Sequence, residues 1–187
     1  MFGNLITNRQ LRTLIDEKHI LIEPFSDANL KRTHYTLSPG RVLRRGSDGD
    51  WDTNHTFTAK KPVFELKANE YVIVEVKQNV RIHSDGIVGR FLSVSTNIES
   101  GIMVIAGQID SQYGTGGEAL RFGVKNMLSE PNQIKADMRL AHVEFFDLRG
   151  IAPDPVKRSA KEDAAWKARV RDVMWERDDS DGVRYER

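Results

Sequence analysis

From about residue 35 to residue 147 the chain is made of short apolar runs, each about a strand long, cut apart by turn-forming residues. Tyr71-Val72-Ile73-Val74-Glu75-Val76 is the clearest of them, rich in the β-branched and aromatic side chains that suit a pleated, half-buried surface. Gly86 to Ser95, Gly101 to Ile109, Glu118 to Lys125 and Arg139 to Leu148 have the same character. Turn signals divide them: Asp85-Gly86, Glu99-Ser100-Gly101, Gly114 to Gly117, and Glu130-Pro131-Asn132. Many short strands at regular spacing predict a mainly β fold, a sandwich or barrel of jelly-roll type.

Helical signals sit at the two ends. Thr7-Asn8-Arg9-Gln10 fits a capping box, and Leu11, Leu14 and Ile15 follow at helical spacing, which predicts a short helix over 8–17. His19 to Glu23 reads as a strand stopped by Pro24, and the polar stretch 44–62 as a long loop or flap. After Gly150 the composition shifts: Ile151-Ala152-Pro153-Asp154-Pro155 reads as a stiff linker. A second capping-box match at Ser159 leads into Trp166, Val170, Val173 and Met174 on one helical face. The domain reading is a β domain over 1–150, then a linker, an amphipathic C-terminal helix and a charged tail over 151–187. That helix docks on its own domain or serves a partner.

Composition narrows the function. There is no cysteine, which removes disulfides, thiol catalysis and zinc sites built on thiolates, including those of the zinc deaminases. The five histidines show no His-Glu-x-x-His spacing, so no protein-held metal is expected. A net charge of +1 gives no global field toward nucleic acid or membrane. No apolar run approaches the roughly 18 residues of a bilayer span. The first residues lack the basic-then-apolar order of a secretory signal, and the expected location is cytoplasmic.

Ala106 to Glu118 is the richest segment: an apolar run enters Gly107, then Asp110, Tyr113 and the Gly-rich turn Gly114-Thr115-Gly116-Gly117. Asp110 reads either as a positioned carboxylate that bonds a hydroxyl or activates water, or as a plain turn-former. Tyr113 could pack on a sugar or plug a strand end. Ser95 and Thr96, after a strand, carry hydroxyls able to meet phosphate oxygens, or are ordinary polar loop residues. Arg90, Arg121, Lys125 and Arg139 have the guanidinium or ammonium charge for phosphate, or lie solvated on the surface. His142, in an apolar segment, reads as structural or as a ligand contact.

These segments together resemble the dCTP deaminase branch of the dUTPase-like superfamily over roughly residues 5–148. The similarity rests on the helix and strand ending Ile22-Glu23-Pro24-Phe25, on Tyr35 to Gly40, Glu70 to Val76, Ala106 to Glu118 and Arg139 to His142; Arg184-Tyr185-Glu186 is similar to a basic-aromatic tail motif. The resemblance implies a dUTPase-like distorted jelly-roll β-barrel that forms a homotrimer with nucleotide sites at subunit interfaces. It implies Mg²⁺ bound through the nucleotide triphosphate, no zinc, and a C-terminal tail that closes over the site. It makes Asp110 the water-activating acid. Tyr113 becomes the sugar-stacking ring, Ser95, Thr96 and Arg90 phosphate contacts, and Gln108, His142 and Arg121 further nucleotide contacts. The implied ligand is a deoxypyrimidine nucleoside triphosphate, with dCTP deamination, dUTP diphosphate hydrolysis, or both as the reaction. The chain also departs from the pattern. Thr36 stands where the family carries an acid, no Arg precedes the Ser95-Thr96 pair in the usual place, and His142 replaces a phosphate-contacting Gln. Gly123 stands where deaminases place a Glu three residues before Asn126. These departures open a second expectation, a non-catalytic nucleotide sensor or oligomeric scaffold.

Overall fold

A computed structural model of the chain describes residues 4–105, 107–110 and 119–149. The expected C-terminal helix, tail and domain boundary lie outside the described residues, as do Tyr113 and the glycine turn. In chain order the elements are β1 (Asn4–Leu5), α1 (Asn8–Asp16), β2 (Ile20–Glu23), β3 (Tyr35–Leu37), β4 (Pro39–Arg45), β5 (Trp51–Thr56), β6 (Val63–Leu66) and β7 (Tyr71–Val76). They continue with β8 (Asn79–Ile82), β9 (Ile87–Ser93), α2 (Ser95–Glu99), β10 (Ile102–Ile105), β11 (Gln108–Ile109), β12 (Arg121–Asn126), β13 (Asn132–Lys135) and β14 (Ala141–Asp147). No helix among the described residues is long and apolar enough to cross a membrane.

The fold is mainly β, as the strand pattern predicts. One five-stranded sheet runs β1-β14-β9-β11 with β3 also on β14, and a second runs β10-β12-β7-β4-β5. Two-stranded pairs β13-β6 and β2-β8 complete it. The strands alternate side chains between faces, so each large sheet has an inner and an outer row. On β9, Gly89 and Phe91 face in while Arg90 faces out; on β12, Phe122 and Val124 face in. The inner rows meet where Phe91 stands edge-on to Phe122, centroids 4.9 Å apart at 85°. Around that contact Leu37, Val42, Val72, Val124, Val143 and Phe145 are almost wholly buried. Each such side chain stabilises by roughly 1.5–3 kcal/mol.

The N-terminal helix forms where its capping box places it. Gln10 Oε1 accepts from the Thr7 N–H at 2.9 Å and from the Thr7 hydroxyl at 2.8 Å. Leu11 and Leu14 then bury against the barrel. Two strand expectations need correction. The stretch 44–62 is not all loop, because β5 pairs with β4 from Arg41↔Thr56 to Arg45↔Trp51. The expected strand Gly101 to Ile109 is two strands in different sheets: β10 pairs β12, while β11 pairs β9. The chain changes sheet at Gly107, whose carbonyl accepts from the Phe91 N–H at 3.0 Å. The crossing is tight. A Cβ on Gly89 would stand 2.8 Å from Ile109 Cγ1, so only glycine lets β11 close on β9.

Candidate functional site

The outer row of the first sheet collects four of the residues the sequence singles out. Gln108 lies opposite Arg90, and Arg90 opposite Glu144, across β11, β9 and β14. One step along, His142 of β14 lies opposite Thr36 of β3. Asp110 is exposed and follows Gln108 by two residues, at the far end of β11. Arg90 is not an unengaged phosphate ligand. It donates to Glu144 Oε2 at 2.9 Å and sits 5.0 Å from the centroid of the Phe146 ring.

His142 is half-buried and held on two sides. Its Nδ1 is 3.2 Å from the Thr36 hydroxyl, and its ring packs on His34 with centroids 4.1 Å apart at 43°. Burial, together with the neighbouring His34 and Arg139 charges, pushes the His142 imidazole down to about 4. Burial, with Lys31 and Arg139, also lowers His34, and Glu144 opposes both shifts. Both rings are therefore neutral near pH 7 and set to gain a proton when negative charge arrives. His34 and Glu144 were not singled out in the sequence. His34 precedes β3 by one residue, and only the β3–β14 register, across more than a hundred residues, brings it to His142.

Ser95 and Thr96 open the short helix α2 instead of lying in a loop, and both are exposed. The next residue, Asn97, is 4% exposed, and its amide donates to the carbonyls of Arg139 at 2.9 Å and Leu140 at 3.0 Å. It thereby ties the Ser95-Thr96 pair to the start of β14 and the His142 end of the sheet. Asp110 is at the other end. Ile109 pairs with Gly89, which places Asp110 level with Val88, while Ser95 lies beyond Ser93. Five residue steps of extended strand, Val88 to Ser93, separate those levels before α2 begins, about 17 Å at ~3.3 Å per residue. Within one chain, Asp110 does not meet Ser95 and Thr96.

Arg121 is elsewhere again, on the outer face of the second sheet. Arg121 Nε donates to Glu75 Oε2 at 3.2 Å, and Arg41 donates to the same carboxylate at 2.6 and 2.9 Å. Glu75 is 8% exposed, so the two guanidiniums are what make its burial tolerable. Gly123 follows on the same face, and a Cβ there would stand 2.3 Å from the Tyr71 hydroxyl oxygen. The Tyr71 phenol, edge-on to Trp51 at 5.9 Å, covers the position where a side chain would emerge. Asn126 is fully buried, its amide donating to the carbonyls of Lys67 at 2.9 Å and Glu130 at 2.8 Å. Lys125 borders this face, opposite Tyr71. A cavity of about 400 Å³ lined by Ser100, Ile102, Asn132, Lys135 and Met138 contains none of the candidate residues. Among the described residues no three His, Asp or Glu side chains gather where a metal ion could sit.

The family model described as dCTP deaminase-like matches residues 5–148. No curated protein matches the chain. Among solved structures, the chain is similar to a 2'-deoxycytidine 5'-triphosphate deaminase from Agrobacterium tumefaciens at 11% identity and a TM-score of 0.59, over 79% of this chain and 49% of that one. The chain thus spans about half the length of that structure. It is also similar to a mutant dUTPase from phage phi11 of S. aureus, at 15% identity and a TM-score of 0.48, over 75% of this chain and 96% of that one. The native EIAV dUTPase follows at 11% identity and a TM-score of 0.42, over 66% of this chain and 97% of that one.

Proposed function

The chain belongs to the dCTP deaminase-like family, and on that premise we propose that it binds a deoxypyrimidine nucleoside triphosphate at sites shared between neighbouring copies in a cytoplasmic homotrimer. The observation that carries the reading is the separation along β9. Asp110 stands at one end and the Ser95-Thr96 pair, with His142 beside it, at the other. About 17 Å of strand divides them, so a ligand touching both ends at close range draws one of them from a second copy. The exposed edge strand β10 supports such contact, since Met103 and Ile105 are 45% and 52% exposed on it.

In this reading Asp110 orients and deprotonates a water, which adds to phosphorus as pyrophosphate leaves. Tyr113 packs on the sugar. Ser95, Thr96 and His142 meet the phosphates, Gln108 and Arg90 border the site, and Arg121, on the second sheet, would come from a neighbouring copy. The described residues offer no three-ligand cage, so Mg²⁺ would be carried by the phosphates, where it supplies charge stabilisation. Gly123, beneath the Tyr71 phenol, presents no acid to move a proton to a cytosine ring. That favours attack at phosphorus over deamination. The same glycine, with His142 in place of an amide, favours as second reading a nucleotide sensor or scaffold that turns nothing over.

The experiment is incubation of the purified protein with Mg²⁺ and each deoxynucleoside triphosphate, followed by separation of products. Ammonia, pyrophosphate, both or neither separates deamination, hydrolysis, the bifunctional case and the sensor, whose binding calorimetry would still detect. If turnover is found, Asp110→Asn lowers it by about a hundredfold or more. Co-expressing Asp110→Asn chains with Ser95→Ala/Thr96→Ala chains restores part of it, because some sites then draw both intact halves from different copies. Unchanged activity in Asp110→Asn, or no rescue on mixing, rejects the shared site.

A further inference from the structure

At the β3–β14 edge of the first sheet, two imidazoles, two cations and a buried hydroxyl form a cluster beyond the single histidine that the nucleotide reading uses. His34 and His142 stack at 4.1 Å, and the Thr36 hydroxyl, 2% exposed, lies 3.2 Å from His142 Nδ1. That contact leaves Nε2 as the ring atom available to a ligand. Lys31 and Arg139 act on both rings and form no ion pair among the described residues, the Lys31 ammonium donating to the Ala28 carbonyl at 2.7 Å. The anionic group facing the rings is Glu144, already bonded to Arg90 at 2.9 Å. With both imidazoles neutral, Lys31, Arg139 and Arg90 against Glu144 leave two positive charges in excess. The backbone is fixed as well as charged, because Asn97 holds the carbonyls of Arg139 and Leu140.

We propose that His34, His142, Lys31 and Arg139 form a proton-coupled site for a phosphate-type dianion, which takes up a proton into the imidazole pair as it binds. The reason is electrostatic balance. In the empty cluster each histidine is discouraged from charging by burial and by the two cations, and His142 also by the neighbouring His34. A dianion between them reverses the last two effects and leaves a charge-assisted hydrogen bond in their place. His34 thus becomes a ligand contact in its own right. Affinity then rises as pH falls from 7 toward 5, by about tenfold per unit for one proton taken up. The proposal deepens the nucleotide reading by assigning the phosphate end of the ligand, and it stands or falls without the base.

The test uses the full chain and sulfate, a dianion whose own charge is constant over this range. The ring proton resonances of the five histidines are followed by NMR from pH 4 to 8, in sulfate and in chloride of matched ionic strength. His34→Gln and His142→Gln variants supply the assignments. Sulfate should move the titrations of His34 and His142 to higher pH and leave His19, His55 and His83 in place. If the two do not move, or all five move alike, the proposal is overturned. If a histidine variant fails to fold, a Lys31→Gln/Arg139→Gln chain serves instead and should lose most of the sulfate response; an undiminished response also overturns it. Repeating the titration with inorganic tripolyphosphate, dCTP and dUTP separates the two claims. Response to sulfate and tripolyphosphate, with no tighter binding of either nucleotide, upholds this site and counts against the nucleotide function. Nucleotide binding with silent histidines does the reverse.

Discussion

β9 and β14 of the first sheet turn Arg90, His142 and Glu144 outward, whereas β10 and β7 of the second turn out Met103, Ile105 and Tyr71. Both sheets have five strands, and both bury the same kind of inner row. The first sheet's outer row carries the paired histidines, while the second's sets apolar side chains beside the Arg41–Glu75–Arg121 ion pairs and covers even Gly123 with a ring. The difference teaches that fold stability and chemistry are divided between faces of the same strands. One residue step along a strand moves from core to site. A substitution on an inner row should cost stability in both sheets, and one on an outer row should separate the histidine face from the ion-paired face.

The largest expected effect falls on what the sheets share. Phe91→Ala removes the ring that meets Phe122 at 4.9 Å and should cost about 3–5 kcal/mol, read as a lower urea midpoint with an unchanged slope. The described core is single, so both sheets should be lost in one transition. Separate transitions followed by Trp51 fluorescence in a Trp166→Phe/Trp175→Phe chain and by far-ultraviolet circular dichroism would break the comparison, by showing that each sheet holds itself together.

Those inner rows were legible from sequence. Tyr71 to Val76 announces its strand by β-branching alone, and Thr7 with Gln10 announces α1 one residue from where it begins. β5 was not legible, because Trp51-Asp52-Thr53-Asn54-His55-Thr56 is a polar edge strand with no apolar alternation to read. The break between β10 and β11 was hidden too, since Ile105-Ala106-Gly107-Gln108 reads as continuous strand until Gly89 is seen to admit Ile109. The site was legible as residue types, not as neighbours. Asp110, Gln108 and His142 could be named, yet nothing local says that His34 stacks on His142, or that Arg90 is engaged by Glu144 and Arg121 by Glu75. Those pairings are set by register between strands far apart in sequence.

A middle-sized effect sharpens the electrostatic side of the comparison. His142 titrates at about 4 in the fold against an ordinary value of 6.5. The unfolded chain therefore binds the extra proton first, and stability is lost as pH falls from 6.5 to 4, then no further. The shift corresponds to on the order of 2 kcal/mol once the ring's partial exposure is allowed for. Removing His142 should flatten that interval. The stability gap between native protein and His142→Gln, measured by urea melts at pH 7 and pH 4.5, should narrow by about that amount toward the acid side. An equal gap at both values means that the ring is not held neutral.

The smallest expected effect tests the covered face. Gly123→Ala places a methyl 2.3 Å from the Tyr71 hydroxyl oxygen, but Tyr71 is 41% exposed and its tip can swing outward. The cost should be about 1 kcal/mol, the low end of overpacking. In a Tyr71→Ala background the obstruction is gone, and what remains is the ordinary preference of a strand interior for alanine over glycine, about 0.5 kcal/mol in the stabilising direction. The sign of the Gly123→Ala effect should therefore reverse between the two backgrounds, which a four-protein melting cycle reads directly. If the cost is the same with and without the phenol, Tyr71 is not what demands glycine at 123. The second sheet's outer face would then have room for the acid that deamination requires, and its contrast with the first sheet would shrink to a difference of residue type.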